Sequence, residues 1–335
     1  MTAAQYDVVG IGNAIVDILA YTDDGFLTRE QLPKGGMTLI DAERVGQIYK
    51  AMGAATECSG GSAANTLAGF ASLGGKAAFI GKVAQDQMGK IFRHDMNAIG
   101  VSFTTPPLLG NVSTAQCLVL VTHDEETRHA ERTMATYLGA CKHITPIDID
   151  HAVIEASAVT YLEGYLWDEP PAKRAIEKAI EVAHAAGRKV AFTLSDSFCV
   201  ERHRAEFLDL IAKKRIDILF SNENEMLALT EEKKLEDAIA KIKGACEIIA
   251  VTRSEKGSMV LTASETYNIA PAPVSEVFDV TGAGDLYASG FLYGYTHGMT
   301  LDKCGKLGSL CAAEIIKYLG ARPMSKLQPL LEKAA

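Results

Sequence analysis

Long apolar runs are missing from this chain: no stretch approaches the ~18 residues that a membrane span needs. The amino-terminal MTAAQYDVVG has no basic start followed by an apolar stretch, so no secretion signal is read there. Positive charge is in short supply, with 33 Lys+Arg against 42 Asp+Glu and a formal net charge of −9, which offers nucleic acid or an anionic membrane no general attraction. Paired cysteines are missing too. The seven Cys, at 58, 117, 141, 199, 246, 304 and 311, form an odd, scattered set with no CxxC, and the eight His include no HExxH. This argues against a disulfide framework or structural zinc and for free thiols in a reducing cytoplasm. No low-complexity tract or solenoid repeat is present. What remains is 48% hydrophobic and 22% charged residues over 335 positions, a composition that buries a real core in about two structural units, or in one large α/β domain with an appendage. The expectation is a cytoplasmic enzyme with small or neutral partners, no nucleic acid and no membrane.

The later two-thirds alternates short β-rich runs with helical stretches: Ala158–Leu162, Lys189–Leu194, Ile216–Phe220 and Ile248–Thr252 recur at nearly even steps. Between the first two, Pro171–Ala186 has an amphipathic spacing and ends at Gly187. Such βαβ units predict parallel strands with helices on both faces and ligands at the strands' carboxyl ends. The first third differs. Tyr6–Ile11 reads as a buried strand, but Ala14–Tyr21, Met37–Ile40, Gln116–Val121 and a run around Arg128–Arg132 lack intervening long helices, so they are expected to pair antiparallel in a separate small sheet. The expected organisation is a core of 1–12, 51–100 and 134–335, with a discontinuous β lid of 13–50 and 101–133.

Two stretches carry chemistry. In FDVTGAGDLYASGFLYG (278–294), Gly282 and Gly284 flank Ala283 just before Asp285 and a helical pattern. A Gly-rich turn opening a helix presents unpaired N–H groups at the positive end of the helix dipole, which suits phosphate. A carboxylate at that turn is badly placed to bind phosphate but well placed to accept a proton from a hydroxyl attacking it, although Asp285 also suits a plain helix cap. In GGSAANTLAGFASLGG (60–75), the double glycine, Ser62 and Asn65 form either a grip for a diol or a tightly packed helix start.

Both stretches resemble the paired signatures of the ribokinase/adenosine kinase family of carbohydrate kinases, also called the PfkB family. The likeness spans nearly the whole chain, from GIGNAIVD (10–17) through YLEGYL (161–166), SNENEML (221–227) and VTRSEKG (251–257) to CAAEIIKYLGARP (311–323). GNAIVDI, RTMATYLGA (132–140) and GARP resemble the adenosine kinase branch more than the ribokinase branch. The resemblance implies a three-layer α/β/α domain with a mostly parallel central sheet and a small β-sheet lid.

It also implies a reaction, the ATP-dependent phosphorylation of the ribose 5′-hydroxyl of a purine nucleoside, adenosine to AMP, with Mg²⁺. Asp285 would be the base and the turn Gly282, Ala283 and Gly284 the anion hole. Asn13, Asp17, Gly60, Gly61 and Asn65, helped by Ser62, would hold the sugar. Asn222 and Glu225 match an N-x-x-E motif in which Glu225 would hold Mg²⁺ through water, although acidic helix starts are common for dipole reasons alone; Glu223 and Asn224 leave that assignment open by one residue. Thr252 and Gly257 match a nucleotide-side turn in which Ser254 replaces the usual Gly, and Ser309 matches an adenine-lining position. Asp279 and Thr281 fall where ribokinase-like relatives bind a monovalent cation such as K⁺. Met37, Leu39, Cys117, Leu138 and Phe198 could wall the base or simply be core. A monomer is favoured over a lid-paired dimer.

Other readings compete. GIGNAI faintly suggests a dinucleotide fingerprint, but Ile15 stands where its third glycine belongs. A kinase-like fold kept only as a binding module would lack the base or the glycines, and all are present. Within the kinase reading, ribose, fructose, inosine and guanosine compete with adenosine.

Overall fold

The computed structural model describes residues 4–123 and 130–334. A nine-stranded sheet is built from β1 (Tyr6–Ile11), β5 (Ala77–Ile80), β6 (Val101–Phe103), β9 (Ser157–Glu163), β10 (Lys189–Thr193), β11 (Ile218–Asn222), β12 (Ile248–Thr252), β13 (Ser258–Leu261) and β14 (Thr266–Ile269). Its order is β14-β13-β12-β11-β10-β9-β1-β5-β6. From β12 to β6 all neighbours run parallel, and β13 and β14 add an antiparallel edge.

Successive strand residues point to opposite faces, so Val8 and Val9 enter different cores. Val8, Tyr161 and Phe220 pack with α3 (Ser62–Ser72), α4 (Gln87–Ala98) and α10 (Ala283–Thr296). Val9, Leu162 and Phe192 pack with α6 (Pro170–Ala185), α7 (Ser197–Ala212), α8 (Glu223–Thr230) and α9 (Leu235–Ile242). Two further helices, α11 (Leu301–Ile315) and α12 (Leu330–Ala334), join Leu73 and Leu286 in a smaller cluster, and α5 (His151–Glu155) precedes β9. A Cβ at Gly290 would sit 2.6 Å from Leu307 O, so this glycine lets α10 and α11 approach closely. The three layers are those expected.

A second sheet of order β3-β8-β7-β2-β4 contains β2 (Ile15–Tyr21), β3 (Met37–Leu39), β4 (Thr56–Gly60), β7 (Ala115–His123) and β8 (Ala130–Tyr137). Its pairing is mixed rather than antiparallel: β2–β7 and β3–β8 are parallel, β2–β4 and β7–β8 antiparallel. The parallel pairs arise because long excursions through the core or through helices return the chain in the same direction. The strand ranges also shift the expected lid boundaries. Strand β4, expected in the core, pairs with β2; β6, expected in the lid, pairs with β5; and β8 continues to Tyr137. Short strands carry no mark of which sheet they join, since pairing is decided by distant partners. Of the run around Arg128–Arg132, only the part from Ala130 lies within the described residues.

Alternation on this sheet is strict. Ile15, Asp17 and Leu19 share one face with Cys117, Val119, Met134, Met37 and Leu39 by register. The opposite face, with Val16, Ile18, Leu118 and Leu120, is buried in one cluster with Phe26 and Leu27 of α1 (Asp24–Arg29) and Val45 and Ile48 of α2 (Ala42–Ala51).

Candidate active site

Helices α3 and α10 both open on a glycine with positive φ, Gly61 at 94° and Gly282 at 77°, and neither has a side-chain cap. The conformation is one that other residues rarely adopt, and space reinforces it. A Cβ at Gly61 would lie 2.1 Å from Asn13 O, and one at Gly282 would lie 2.6 Å from the Ala321 Cβ. The two helix starts face each other across Asp285. Ser62 Oγ donates to Asp285 Oδ1 at 2.7 Å and Asn65 Nδ2 to Asp285 Oδ2 at 3.0 Å. Burial raises the Asp285 pKa above the ordinary carboxylate value, against the lowering effect of Ser62, Asn65 and the Arg322 guanidinium. A carboxylate fixed by two donors and made more basic by burial is equipped to take a proton from a hydroxyl.

Beside it, the amides of Gly282, Gly284 and Asp285 have no partner among the described residues. The Ala283 N–H, expected in the anion hole, instead donates to Val280 O at 3.2 Å, because the turn closes on itself there. Gly284 is exposed, and nothing lies within 4 Å of a Cβ position there, so the turn is open beside these amides. Unpaired amides at a helix start make an anion cradle.

On the sugar side, the structure redistributes the expected roles. Ser62 and Asn65 turn to Asp285 rather than standing free for a diol, which leaves Asn65 Oδ1 buried and without a partner among the described residues. Such an acceptor is costly unless a hydroxyl or water donates to it. Gly60 makes room for Asp17, whose Oδ2 would stand 2.3 Å from a Cβ there. Burial and the nearby Asp285 push the Asp17 carboxyl up to about 6, although Arg132 and Arg322 oppose the rise. Asn13 is buried at the exit of β1, and its N–H donates to Glu163 Oε1 at 2.8 Å.

Glu163, at the carboxyl end of β9, received no role from the sequence. Its Oε2 accepts the Ala63 N–H of α3 at 2.9 Å, so one fully buried carboxylate joins Asn13 to the start of α3. Burial pushes Glu163 up to about 7, with the Ala63 and Asn13 amides opposing. An acid at the end of a central parallel strand was the available signal.

On the nucleotide side, Asn222 and Glu225 form a reciprocal capping box. Asn222 Nδ2 donates to Glu225 Oε1 at 2.5 Å, the Asn222 N–H to Oε2 at 2.9 Å, and the Glu225 N–H to Asn222 Oδ1 at 2.8 Å. Burial, with Asp196 and Asp285 nearby, pushes Glu225 up to about 7. Glu223 faces Arg253 and Lys256 instead. No three acidic, His or Cys groups among the described residues stand close enough to hold a metal directly. The mutual field of Asp196, Glu225 and Asp285 nevertheless fits a hydrated Mg²⁺ that arrives on a nucleotide. Ser254 adopts φ 51°, the left-handed conformation for which glycine is usual at that turn. Thr252 ends β12 and its hydroxyl donates to Ser221 O at 3.5 Å. Thr252, Gly257 and the buried Ser309 of α11 share no hydrogen bond with the Asp285 group among the described residues.

The monovalent-cation reading of Asp279 and Thr281 meets a different occupant. Asp279 Oδ2 pairs with Arg132 Nη1 at 2.8 Å and accepts the Gly320 N–H at 2.8 Å, while Oδ1 accepts the Thr281 N–H at 2.9 Å. A guanidinium from lid strand β8 thus supplies the positive charge. Of the expected base wall, Met37, Leu39 and Cys117 share the lid face that carries Asp17, Leu138 follows β8, and Phe198 projects from the first turn of α7, 72% exposed.

The signature of the pfkB family carbohydrate kinases matches residues 30–327. The chain is 51% identical to the adenosine kinase from Sinorhizobium meliloti, with a TM-score of 0.91 over 99% of this chain and 100% of that one. It is 49% identical to a probable sugar kinase from Rhizobium etli CFN 42, with a TM-score of 0.91 over 99% of both chains. It is also 29% identical to the 5-dehydro-2-deoxygluconokinase of Halalkalibacterium halodurans over 286 residues, 82% of this chain and 85% of that protein.

Proposed function

This chain belongs to the pfkB family of carbohydrate kinases, phosphotransferases that act on a hydroxyl group with ATP as donor, and from that premise we propose that its acceptor is the ribose 5′-hydroxyl of adenosine. The observation that carries this reading is the lid face around Asp17. One acid able to meet a ribose hydroxyl stands among Ile15, Leu19, Cys117, Val119, Met134, Met37 and Leu39, and Leu39 is 60% exposed. A largely apolar surface whose other polar groups by this register include the hydroxyls of Thr56 and Thr136 and the paired Arg132 suits a purine attached to a ribose; a free sugar acid would find few charged partners on it. The only arginine this register places on the face, Arg132, is already paired with Asp279. The likeness to the Sinorhizobium enzyme supports the same choice.

In the reaction, Asn13, Asp17, Gly61 and the free Oδ1 of Asn65 hold the ribose. Asp285 takes the proton of the 5′-hydroxyl as that oxygen attacks the γ-phosphorus, and the bond to the β,γ-bridging oxygen of ATP breaks. Glu225 would hold Mg²⁺ through water, and the ion would supply positive charge to neutralise the phosphates. The Gly282, Gly284 and Asp285 amides receive the charge on the transferring phosphoryl, and positioning with electrostatics supplies nearly all the acceleration. The lid face opposite Asp17 is buried under α1 and α2 and is closed to a twin, which supports a monomer.

The second reading, a sugar or sugar-acid kinase, is favoured by the 5-dehydro-2-deoxygluconokinase relatives. One panel with ATP and Mg²⁺ decides between them: adenosine, inosine, guanosine, cytidine, ribose, fructose and 5-dehydro-2-deoxygluconate. Adenosine is expected to give the highest kcat/KM, and a higher value for any free sugar or sugar acid sinks the nucleoside reading.

A further inference from the structure

The GARP ending has so far carried resemblance and no role, yet its turn touches three parts of the site. The Gly320 N–H donates to Asp279 Oδ2 at 2.8 Å. Ala321 fills the space that Gly282 leaves open, since a Cβ on that glycine would sit 2.6 Å from its own. Arg322 Nε donates to Ser59 O at 2.8 Å and Nη1 to Ala64 O at 3.0 Å, while Nη2 lies 3.6 Å from Met96 Sδ. Ser59 is the penultimate residue of the lid's edge strand and Ala64 lies in the first turn of α3, so one planar guanidinium braces both sides of the Gly60–Gly61 turn. Asp95 holds the same strand from the other direction, accepting the Ser59 N–H at 2.9 Å.

We infer that the Gly320–Arg322 turn is a positioning element for phosphoryl transfer: Arg322 fixes the first turn of α3, and through Ser62 and Asn65 the carboxylate of Asp285, while Ala321 seats the anion-hole glycine. Ala64 stands between Ser62 and Asn65, so a shift of its carbonyl moves both donors that orient the base. Arg322 makes no ion pair among the described residues, and its charge serves Asp17, Asp95 and Asp285 together. Asp285 is also faced by Ser62, Asn65, Asp17, Glu163, Glu225, Tyr161 and Tyr165, which leaves Arg322 as the cation that lowers its pKa. This inference rests on the reading of Asp285 as the base.

The test uses Arg322→Lys and Arg322→Gln in the full chain beside Asp285→Asn, measuring kcat and KM across a pH series with the fastest acceptor of the panel, MgADP affinity by calorimetry, and melting. Lysine restores the charge but, as a single flexible point donor, not the double brace. Arg322→Lys is expected to lose about 10- to 100-fold in kcat, with MgADP affinity within about threefold of the parent and the acid limb of the profile unmoved. Arg322→Gln is expected to show the same loss and an acid limb displaced upward by about one pH unit. Parental kcat and acid limb in folded Arg322→Gln overturn the inference; if that variant fails to fold, parental kcat in folded Arg322→Lys does so. Turnover retained by Asp285→Asn would remove the base reading instead, and a kcat loss in Arg322→Lys would then still report the brace.

Discussion

Helices α3 and α10 begin alike and end up in opposite states. Each opens on an uncapped positive-φ glycine beside Asp285, whereas α1, α2, α4, α7 and α8 open on Asp23, Asp41, Asp86, Asp196 and Asn222, whose side chains bond the first-turn amides. At α3 a carboxylate of the protein, Glu163, takes the Ala63 amide. At α10 the amides of Gly284 and Asp285 meet nothing among the described residues. The same local sequence device is therefore closed at one amide by a protein carboxylate in one place and left without one in the other. The closed amide fixes geometry, and the open start is where the proposed mechanism puts an incoming anion.

The largest break in this contrast is Asp285→Asn, whose oxygen can still accept from Asn65 while the Ser62 hydroxyl turns to accept from the new NH₂, but which removes the proton acceptor. Turnover should fall by about 10²–10⁴-fold while MgADP binding persists, and a variant within tenfold of the parent by initial-rate assay would show that the base lies elsewhere. Next is Gly282→Ala, which forces a Cβ against Ala321 and strains the left-handed turn. It should lose about 10²–10³-fold in kcat as an anion-hole donor is displaced. Gly61→Ala, its counterpart, should instead raise the acceptor KM, because its clash is with Asn13 O; similar kcat and KM changes in the two variants would erase the distinction drawn between the helices.

A smaller effect is expected from Glu163→Gln. The amide can accept one of the two N–H groups but opposes the other with its own NH₂, at a cost of about 1–3 kcal/mol in denaturant unfolding. Unchanged stability would deny Glu163 its part in closing α3. The smallest effect is a drift of Tm with pH. Glu163 rises from 4.5 to about 7 on folding, so the folded state prefers its protonated form. That contribution is complete below the unfolded value and is lost as pH rises through about 7. The parent should thus lose Tm between mildly acidic and mildly alkaline buffer, and Glu163→Gln should show a shallower slope; parallel slopes would remove Glu163 as the cause.

Much of this contrast could be read from residue order. Gly282, Gly284 and Asp285 announce an open helix start because all three lie within four positions, and the parallel strands follow from runs that are continuous and evenly spaced. The closed start could not be read so easily, because Glu163 is 100 residues from Ala63 and only the fold brings them together. The ion pair of Asp279 was hidden for a related reason: its partner, Arg132, is 147 residues away on the lid sheet. The place of Glu225 in the first turn of a helix was local and legible, while the membership of β4 in the lid depended on pairing with β2, which no pattern within β4 records.

The bond from Ser62 to Asp285 joins residues 223 positions apart, and that from Arg322 to Ser59 spans 263. Ribosomes deliver a chain from its amino end, so the lid strands and the ribose-side turn emerge long before the base and the brace. On the proposed mechanism, competence to spend ATP is conferred only when the last quarter of the sequence docks, and a truncated product that ends before Asp285 has no base with which to consume it.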